Sequence, residues 1–493
     1  MDPKTAGAYG DDAPIAAFAT PLAESALALI RVSGKNTFEL LARVFSRPEK
    51  LLNAPGHSIV HGWIIENSNT ANSITASRRI DEALISVYRA PRSYTGEDGA
   101  DISCHGGIAA AKAVMGALRA AGFRNALPGE FTFRAFMNGK LDLTRSESVM
   151  ELVSAKTDRG RQHAVHRLSG ALEQEITNIK NLLVKILAET EIYLDYSEDE
   201  VSAPGAEAAG NFPGLAMAEE ARAGLQTLAA SYRRERLYQE GALAVIAGRP
   251  NAGKSSLFNL LLKEDRSIVT DIPGTTRDWI EALVSIEGIP VRLADTAGLR
   301  GLPAPLDPVE KIGIERSREL LAQADLVLYV IDGVEGITAE DRDFLEDFNY
   351  TENKIPLILL WNKADIVKEV TQSKEAEREA AVLEISAKTG AGIPALTAAI
   401  AEALTAAAGG QSDDSMSGST ERSPGIATAR QKELVDAALA AVTETLLLAE
   451  RKEPLDLIAP LLREAVNSLG EITGEVSTAD ILETMFSRFC VGK

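Results

Sequence analysis

The residues with the clearest chemical signature lie between Gly248 and Ser255, where the chain reads GRPNAGKS. This segment fits G-x-x-x-x-G-K-[ST] at every fixed position. In such a loop the glycines let backbone N–H groups surround a polyphosphate, Lys254 reaches the β- and γ-phosphates, and the Ser255 hydroxyl holds Mg²⁺. A chance glycine turn is the alternative for the motif taken alone. The loop predicts a nucleoside triphosphate site.

Four further segments follow in the order that a GTPase requires. They are Thr275 or Thr276 in IVTDIPGTTRD, Asp295-Thr296-Ala297-Gly298, Asn362-Lys363-Ala364-Asp365, and Ser386-Ala387-Lys388. Asp295 would orient Mg²⁺, and Gly298 would sense the γ-phosphate. Asp365 can accept hydrogen bonds from the N1–H and the exocyclic amine of guanine, a donor pair that adenine lacks. Each segment alone is weak evidence, but five in this order predict a GTPase.

The position after Gly298 lacks an expected catalytic group. Leu299 stands where Ras-like enzymes carry a glutamine that orients the attacking water. Leucine cannot orient water. We therefore expect either poor GTP hydrolysis, or a different group that supplies both the water positioning and the positive charge.

The elements that carry these loops form an α/β plus all-α chain. In residues 1–140 strands are predicted at Ala26–Val32, Ile59–Ile65 and Ala83–Ala90, and a helix at Ile108–Ala121. Residues 141–240 have helical spacing, which predicts one long amphipathic helix from Leu168 to Leu194 and another at Leu215–Gln239. Residues 241–407 form the nucleotide domain, with a strand at Ala242–Ala247 and a helix at Ser256–Leu262. A polar linker begins residues 408–493, and helices follow it at Arg430–Glu450, Leu455–Leu469 and Thr478–Phe489. The simplest architecture is a discontinuous helical domain that carries the nucleotide domain as an insertion.

Composition limits the classes of partner. The net charge is −20, from 51 basic and 71 acidic residues, which argues against a whole-surface electrostatic grip on nucleic acid. Any RNA contact must be local, and the candidate is the basic segment Arg159–Arg167, although such clusters are more often one solvated helix face. No apolar run is long enough to span a membrane. Two cysteines, Cys104 and Cys490, match neither a disulfide framework nor a metal spacing. A cytoplasmic location is expected.

Motifs along nearly the whole chain are similar to one family. They are PRSYTGED (91–98), CHGG (104–107), PGEFTFRAFMNGKLDL (128–143), GRPNAGKSSL, IVTDIPGTTRD, DTAGLR, VEKIGIER, EITGEVS (471–477) and the terminal FCVGK (489–493). Together they resemble the MnmE (TrmE) family of tRNA modification GTPases. The resemblance implies an N-terminal α/β folate-binding domain, a discontinuous helical domain and an inserted Ras-like P-loop G domain.

For the nucleotide domain, the resemblance implies K⁺-dependent GTP hydrolysis with dimerisation of the G domains. The implied K⁺ ligands are Asn251, Thr270, the Ile272 carbonyl and Thr275, and the implied Mg²⁺ ligands are Ser255 and Thr276. Glu310 matches the catalytic glutamate that positions water, and K⁺ would supply the charge of an arginine finger. The GTP-binding positions carried over are Asn251, Ala252, Gly253, Lys254, Ser255, Ser256, Thr270, Asp271, Ile272, Pro273, Gly274, Thr275, Thr276, Asp295, Thr296, Ala297, Gly298, Asn362, Lys363, Asp365, Ser386, Ala387 and Lys388.

For the N-terminal domain, the resemblance implies a site for a 5-formyltetrahydrofolate-type cofactor. Arg31, Lys140 and Lys493 match its folate-contacting positions, while Asp101 replaces a glutamate of the family. The glycine-rich start of the family is replaced here by ATPLAESA, residues 19–26. The tail 490–493 is expected to insert into a pocket of this domain, shaped at a homodimer interface. We favour Cys490 as a small buried hydrophobe over Cys490 as a nucleophile.

The implied reaction is the addition of an aminomethyl or carboxymethylaminomethyl group to the wobble uridine of certain tRNAs. The family acts in it as a homodimer with the FAD-containing partner MnmG (GidA), in a heterotetramer-type complex, and the folate supplies a one-carbon unit. The alternative is a GTP-regulated ribosome or RNA assembly factor. The N-terminal motifs and the FCVGK end favour the first interpretation, because an assembly factor would not need them.

Overall fold

The computed structural model describes residues 9, 11–66, 78–195, 212, 214–264, 281–295, 319–350, 355–366, 381–409, 424–476 and 479–492. Its contacts divide the chain into two compact units. The first contains Met1–Met150, Arg167–Val184 and Leu462–Lys493, and the second contains Glu151–His166 and Lys185–Leu461. Among the described residues, no helix combines the length and the apolar character needed to cross a bilayer.

The first unit is built on a six-stranded sheet in the order β3-β4-β5-β2-β1-β6. The strands are β1 Ile15–Phe18, β2 Leu27–Ser33, β3 Ser58–Ile65, β4 Arg79–Tyr88, β5 Gly99–His105 and β6 Arg124–Asn125. Neighbours are antiparallel except for the parallel pair β1 and β6. Buried and more exposed residues alternate along β4, as expected for a sheet with one covered face.

The buried face of this sheet is covered by helices α1 Thr37–Ala42, α2 Pro48–Leu52 and α3 Ile108–Ala121. Helices α4 Glu130–Met137 and α5 Leu143–Ser154 follow and contribute to other clusters. Ile30, Ile85 and Ile102, from three adjacent strands, are fully buried and share one core with Val114 and Leu118 of α3. Helix α3 has the bounds predicted for it.

The long helix predicted from Leu168 to Leu194 is confirmed, but it begins three residues later, at Ala171, because Leu168 ends a separate helix. Helix α6 spans Asp158–Leu168 and α7 spans Ala171–Asp195. Gly170 lies between them with φ +96°, a conformation that ends α6. Its carbonyl accepts a hydrogen bond from the N–H of Gln174 in the first turn of α7. The apolar period continues across this break, which is why the period alone could not locate it. Helix α8 follows at Leu215–Glu240.

The second unit contains a six-stranded sheet in the order β12-β11-β10-β7-β9-β8. The strands are β7 Ala242–Gly248, β8 Glu281–Ile286, β9 Ile289–Asp295, β10 Leu326–Asp332, β11 Leu357–Asn362 and β12 Ala381–Glu384. All pairs are parallel except β8 with β9. Every residue of β10 is buried, as in a sheet that is covered on both faces. The order reverses at β7, so loops at its carboxyl end border a crevice.

The remaining helices are α9 Lys254–Glu264, α10 Ala339–Tyr350, α11 Ile393–Ala407, α12 Ala429–Glu450, α13 Leu455–Thr473 and α14 Ala479–Phe486. Helix α12 begins with a capping box between Thr428 and Gln431 and packs along α8. In the first unit, α14 joins α4 through an aromatic cluster of Tyr9, Phe133 and Phe486.

Candidate functional site

The phosphate loop connects β7 to α9 in a tightly constrained conformation. Asn251 has φ +62° and Gly253 has φ +104°. A Cβ atom on Gly253 would lie 2.0 Å from Asn362 Nδ2, so only glycine fits there. Lys254 Nζ donates to the carbonyl oxygens of Gly248 at 2.8 Å and Arg249 at 2.7 Å. The loop therefore curls around the lysine ammonium at the amino end of α9, the geometry of an anion-binding loop.

Ser255 and Asp295 bring two oxygen ligands together beside this loop. Strands β7 and β9 are adjacent, which places Ser255 Oγ 3.0 Å from Asp295 Oδ2. Asp295 is only 4% exposed. A hydroxyl beside a carboxylate suits a hard divalent cation that keeps several waters, so these two side chains fit Mg²⁺.

Asn362 ties three loops together at the end of β11. Its Nδ2 donates to the Ala252 carbonyl at 2.7 Å, and its Oδ1 accepts from the Ala387 backbone N–H at 2.9 Å. Ser386 Oγ donates to Asp365 Oδ1 at 2.7 Å, which fixes the orientation of that exposed carboxylate. The phosphate loop, the Asn362–Asp365 loop and the Ser386–Lys388 loop thus share one edge of the sheet, as their motif order predicts.

Lys363 is held in place from the neighbouring strand. It has φ +70°, and its Nζ lies 2.5 Å from Asp332 Oδ2 at the end of β10. Burial acts to raise the pKa of Asp332, but hydrogen bonds from Lys363 and from the Val334 N–H outweigh burial and lower that pKa. The Asp332 carboxylate is therefore ionised at neutral pH. Nothing in the sequence pattern had indicated Asp332.

Several predicted site residues lie outside the described residues. They are Thr270, Asp271, Ile272, Pro273, Gly274, Thr275, Thr276, Thr296, Ala297, Gly298, Glu310 and Lys493.

In the first unit, Arg31 and Asp101 face each other across β2 and β5. Arg31 Nε lies 2.9 Å from Asp101 Oδ1, and Nη2 lies 3.2 Å from Oδ2. The Arg31 guanidinium also lies 5.8 Å from the centroid of the Tyr94 ring. Burial opposes the charge of Arg31, but the bonds to Asp101 outweigh burial and raise its pKa. A fixed cation, a carboxylate and a half-exposed aromatic ring fit the charged and planar parts of a folate.

The loop of residues 91–98 beside this pair is bound to α4 and its C-terminal end. Tyr94 Oη and Thr132 Oγ1 are 2.9 Å apart, and Lys140 Nζ donates to the Pro91 carbonyl at 3.1 Å. Arg134, 6% exposed, bonds Glu97 at 3.1 Å and fully buried Glu130 at 2.9 Å. Sequence reasoning missed these positioning residues. The only signal for them was the i, i+4 spacing of Glu130 and Arg134, which also occurs on ordinary exposed helices.

The C-terminal tail lies against the same unit. Gly129 N–H donates to the Cys490 carbonyl at 3.2 Å. Gly492 has φ +96°, and a Cβ atom there would lie 2.4 Å from the Phe18 carbonyl oxygen in β1. Strand β1 is the neighbour of β2, where Ala17 pairs with Arg31. Cys490 itself is exposed and Cys104 is buried, so the expectation that Cys490 is a buried hydrophobe was wrong.

The basic segment of α6 forms intramolecular contacts instead of one solvated face. Arg161 pairs with Asp158, and His163 Nδ1 lies 2.7 Å from Glu235 Oε2. Arg159 lies over the Tyr238 ring, 4.7 Å from its centroid. Arg167 is 2% exposed. This segment is therefore a weaker candidate for an RNA contact than its composition indicates.

Comparison with known proteins identifies the family to which the chain belongs. Residues 14–140 match the family model "GTP-binding protein TrmE N-terminus", and residues 143–490 match "MnmE helical domain". The tRNA modification GTPase MnmE of Treponema denticola is 41% identical, over 99% of this chain and 99% of its own length. The MnmE proteins of Carboxydothermus hydrogenoformans and Symbiobacterium thermophilum are 37% and 39% identical, each over 97% of this chain and 99% of their own length. The helical-domain match covers more than half of the chain and these relatives cover nearly all of it, so the chain belongs to the MnmE family of tRNA modification GTPases.

Proposed function

We propose that this chain is the GTP-hydrolysing subunit of a complex that modifies the wobble uridine of certain tRNAs. The observation that supports the GTPase assignment best is the convergence of Lys254, the Ser255–Asp295 pair and the Asn362–Asp365 loop at one sheet edge. These groups suit, in that order, the phosphates, a divalent cation and a guanine base. The tRNA substrate is taken from the names of the relatives.

The metal sites are proposed on the family motif. Ser255 and Thr276 would hold Mg²⁺, and Asn251, Thr270, the Ile272 carbonyl and Thr275 would hold K⁺. Bound there, the two cations would neutralise charge that develops on the phosphates during hydrolysis. Glu310 would position the attacking water, the task that Leu299 cannot perform. The left-handed backbone of Asn251 supports its role, because it lets the loop turn sharply around the phosphates.

The preference for guanine over other nucleotide bases tests the GTPase assignment. The Asp365 carboxylate should accept hydrogen bonds from the N1–H and the amine of guanine. The Ser386 hydroxyl, which donates to Asp365 Oδ1 at 2.7 Å, keeps that carboxylate oriented. Asp365→Asn replaces one acceptor by a donor and should shift the preference from guanine to xanthine nucleotides, measured as the ratio of GDP and XDP dissociation constants. Wild-type protein that binds ADP as tightly as GDP would rule out this assignment.

Hydrolysis should depend on K⁺. A residue that positions water contributes about 10²–10⁴ in rate, so Glu310→Ala should bind GTP normally and hydrolyse it slowly in K⁺ buffer. Na⁺ should substitute poorly for K⁺ in the wild type because it is smaller. The control is Glu402→Ala, an exposed carboxylate of helix α11 in the same unit. Equal wild-type rates in K⁺ and Na⁺ would contradict the K⁺ mechanism.

The folate function is proposed for the first unit. Arg31, Asp101, Lys140 and Lys493 would bind a 5-formyltetrahydrofolate-type cofactor that supplies the one-carbon unit. Support comes from the Arg31–Asp101 pair, from Tyr94 beside it and from the tail that lies along β1. The proposed domains are residues 1–140 for folate binding and dimerisation, 241–407 for GTP, and 141–240 with 408–493 for the helical domain.

The proposed partners follow from the same family. The chain would act as a homodimer with an FAD-containing MnmG (GidA) partner and tRNA, in the cytoplasm, and would add an aminomethyl or carboxymethylaminomethyl group. GTP hydrolysis would drive conformational cycling of this complex, because none of the GTP-site residues offers chemistry for carbon transfer.

A further inference from the structure

One segment contacts both the phosphate loop and the base loop. It runs from Asp332, the last residue of β10, to Asp341 in the first turn of α10, and is called the β10–α10 segment below. It is not part of any motif that predicted the GTP site. Two of its carboxylates, at its two ends, each hold a basic residue of a nucleotide-contacting loop.

The Asp341 end holds Arg249, which lies in the phosphate loop two positions before Asn251. Arg249 Nε is 3.1 Å from Asp341 Oδ2, and Arg249 Nη2 is 2.9 Å from Glu335 Oε2. Asp341 is fully buried. It also accepts from the Tyr329 hydroxyl at 2.9 Å, the Thr338 N–H at 2.8 Å and the Thr338 hydroxyl at 2.7 Å. Asp341 is thus a fixed anchor, and it keeps three donors when Arg249 is removed.

The Asp332 end holds Lys363, the middle of the base loop. Besides Lys363 Nζ at 2.5 Å, the Asp332 side chain accepts the Val334 N–H at 2.9 Å. The backbone is tied as well, because the Gly333 N–H donates to the Asn362 carbonyl at 2.9 Å. The base loop is therefore fixed to the segment by side-chain and main-chain bonds together.

Ordinary surface ion pairs contribute little to stability or position, and burial separates these contacts from that class. The side chains of Arg249 and Asp341 are 19% and 1% exposed, and that of Asp332 is 10% exposed. Arg249 also uses two nitrogens of its planar guanidinium, one on each of two carboxylates, which fixes its direction in a way that a single lysine contact does not. A loop preset in its binding conformation loses less entropy when its ligand binds.

We propose that the β10–α10 segment is a positioning element that presets the phosphate loop through Arg249 and the base loop through Lys363. Arg249 and Asp332 are positioning residues, because each acts through a loop and neither needs to touch the nucleotide. The inference rests on the proposed function in one respect, that these two loops bind a guanine nucleotide.

The two ends make separable predictions, which test the proposal. Dissociation constants for GDP and guanosine are measured by competition against a fluorescent GDP analogue, on the full chain. Arg249→Met should weaken GDP about tenfold and leave guanosine unchanged, because guanosine has no phosphate. Asp332→Asn should weaken GDP and guanosine by the same factor. Arg249→Lys keeps the charge but loses the planar guanidinium. Its dissociation constant for GDP should therefore lie between those of the wild type and Arg249→Met.

Arg236→Met is the matched control, because Arg236 pairs with Glu240 at 2.6 Å on an exposed helix face of the same unit. It makes the same side-chain change and should leave both ligands unaffected. Thermal unfolding without nucleotide should show a lower midpoint for Arg249→Met than for Arg236→Met, because Asp341 is left buried without its cation. Affinities are therefore compared at a temperature well below both midpoints. Unchanged GDP affinity in Arg249→Met, or an equal loss for guanosine, would overturn the proposal. Failure of the wild type to bind GDP would instead refute the proposed function, and the inference with it.

Discussion

Among single residues, His105 has a sharply defined partner outside the proposed sites. His105 Nδ1 lies 2.6 Å from Asp81 Oδ1, and its backbone N–H donates to Asp81 Oδ2 at 2.9 Å. The hydrogen bond to Asp81 is the largest cause that raises the pKa of His105 above its usual 6.5. The pair closes the end of β5 against β4, at the start of the CHGG motif.

The raised pKa predicts a pH-dependent contribution to folding. Because the folded pKa exceeds the unfolded one, the contribution is complete below about pH 6.5 and is lost as the pH rises through the folded value. An NMR titration of the imidazole C–H signal should give a value above 6.5, and Asp81→Asn should lower it. The other histidine signals serve as the control. The same titration in wild type and Asp81→Asn would contradict the assignment.

The sequence predicted residues whose role is set by a short motif. Lys254 and Ser255 are placed at one loop by a strand, a turn and a helix that are continuous in sequence. Asp365 shares their sheet edge only through the pairing of strands that are distant in sequence. Arg31 and Asp101, 70 positions apart, were suggested by family likeness, but their mutual ion pair depends on strand order. Asp341 could not be found, because acidic residues in the first turn of a helix are common. Asp332 could not be found either, because nothing in the sequence pairs a carboxylate at the end of a strand with a lysine 31 positions away.

At the scale of elements, the tail of residues 490–492 depends on one glycine. Gly492→Ala would put a Cβ atom 2.4 Å from the Phe18 carbonyl oxygen, in addition to the strain of φ +96°. We expect this change to displace the tail and to weaken 5-formyltetrahydrofolate binding at least tenfold in calorimetry, with GTP hydrolysis unchanged.

The control for that prediction is Gly409→Ala. Gly409 has φ +82°, and no atom of the described residues lies within 4 Å of the place that an alanine methyl would occupy. The variant therefore carries the backbone strain without the collision. Folate affinity should be normal in it. If Gly492→Ala also binds folate with normal affinity, the tail does not contribute to the folate site.

Elements were predictable where one physical signal dominated. Strands β7, β10 and β11 are continuous apolar runs followed by polar loops, and helix α3 has a clear period between glycines at its two ends. The break between α6 and α7 was not predicted, because a single glycine interrupts the helix without interrupting the period of the apolar residues. The order of the strands in the two sheets could not be predicted from the sequence pattern either, because strands that pair with each other lie far apart in the chain.

At the scale of the whole molecule, the two compact units have separate cores. We therefore expect two calorimetric unfolding transitions. A ligand at 100 times its dissociation constant stabilises the state that binds it by about 2.7 kcal/mol. GDP should raise only the transition of the second unit, and 5-formyltetrahydrofolate only that of the first. A single transition that both ligands shift would contradict this independence.

The chain leaves helix α8 at the end of the helix and later returns to the side of the same helix. Ile426 N–H donates to Ser231 Oγ at 3.1 Å, and Ser231 precedes Gly241 by ten positions, about 15 Å of helix. The segment of 185 residues from Gly241 to Gly425 therefore begins and ends beside the same helix. Lengthening such a loop costs little, since closure entropy grows only logarithmically. Leu237 and Tyr238 of α8 also belong to the core of the inserted domain. A change in the length of its surface loops would therefore leave this junction intact, whereas a different inserted domain would need its own surface to cover these two side chains.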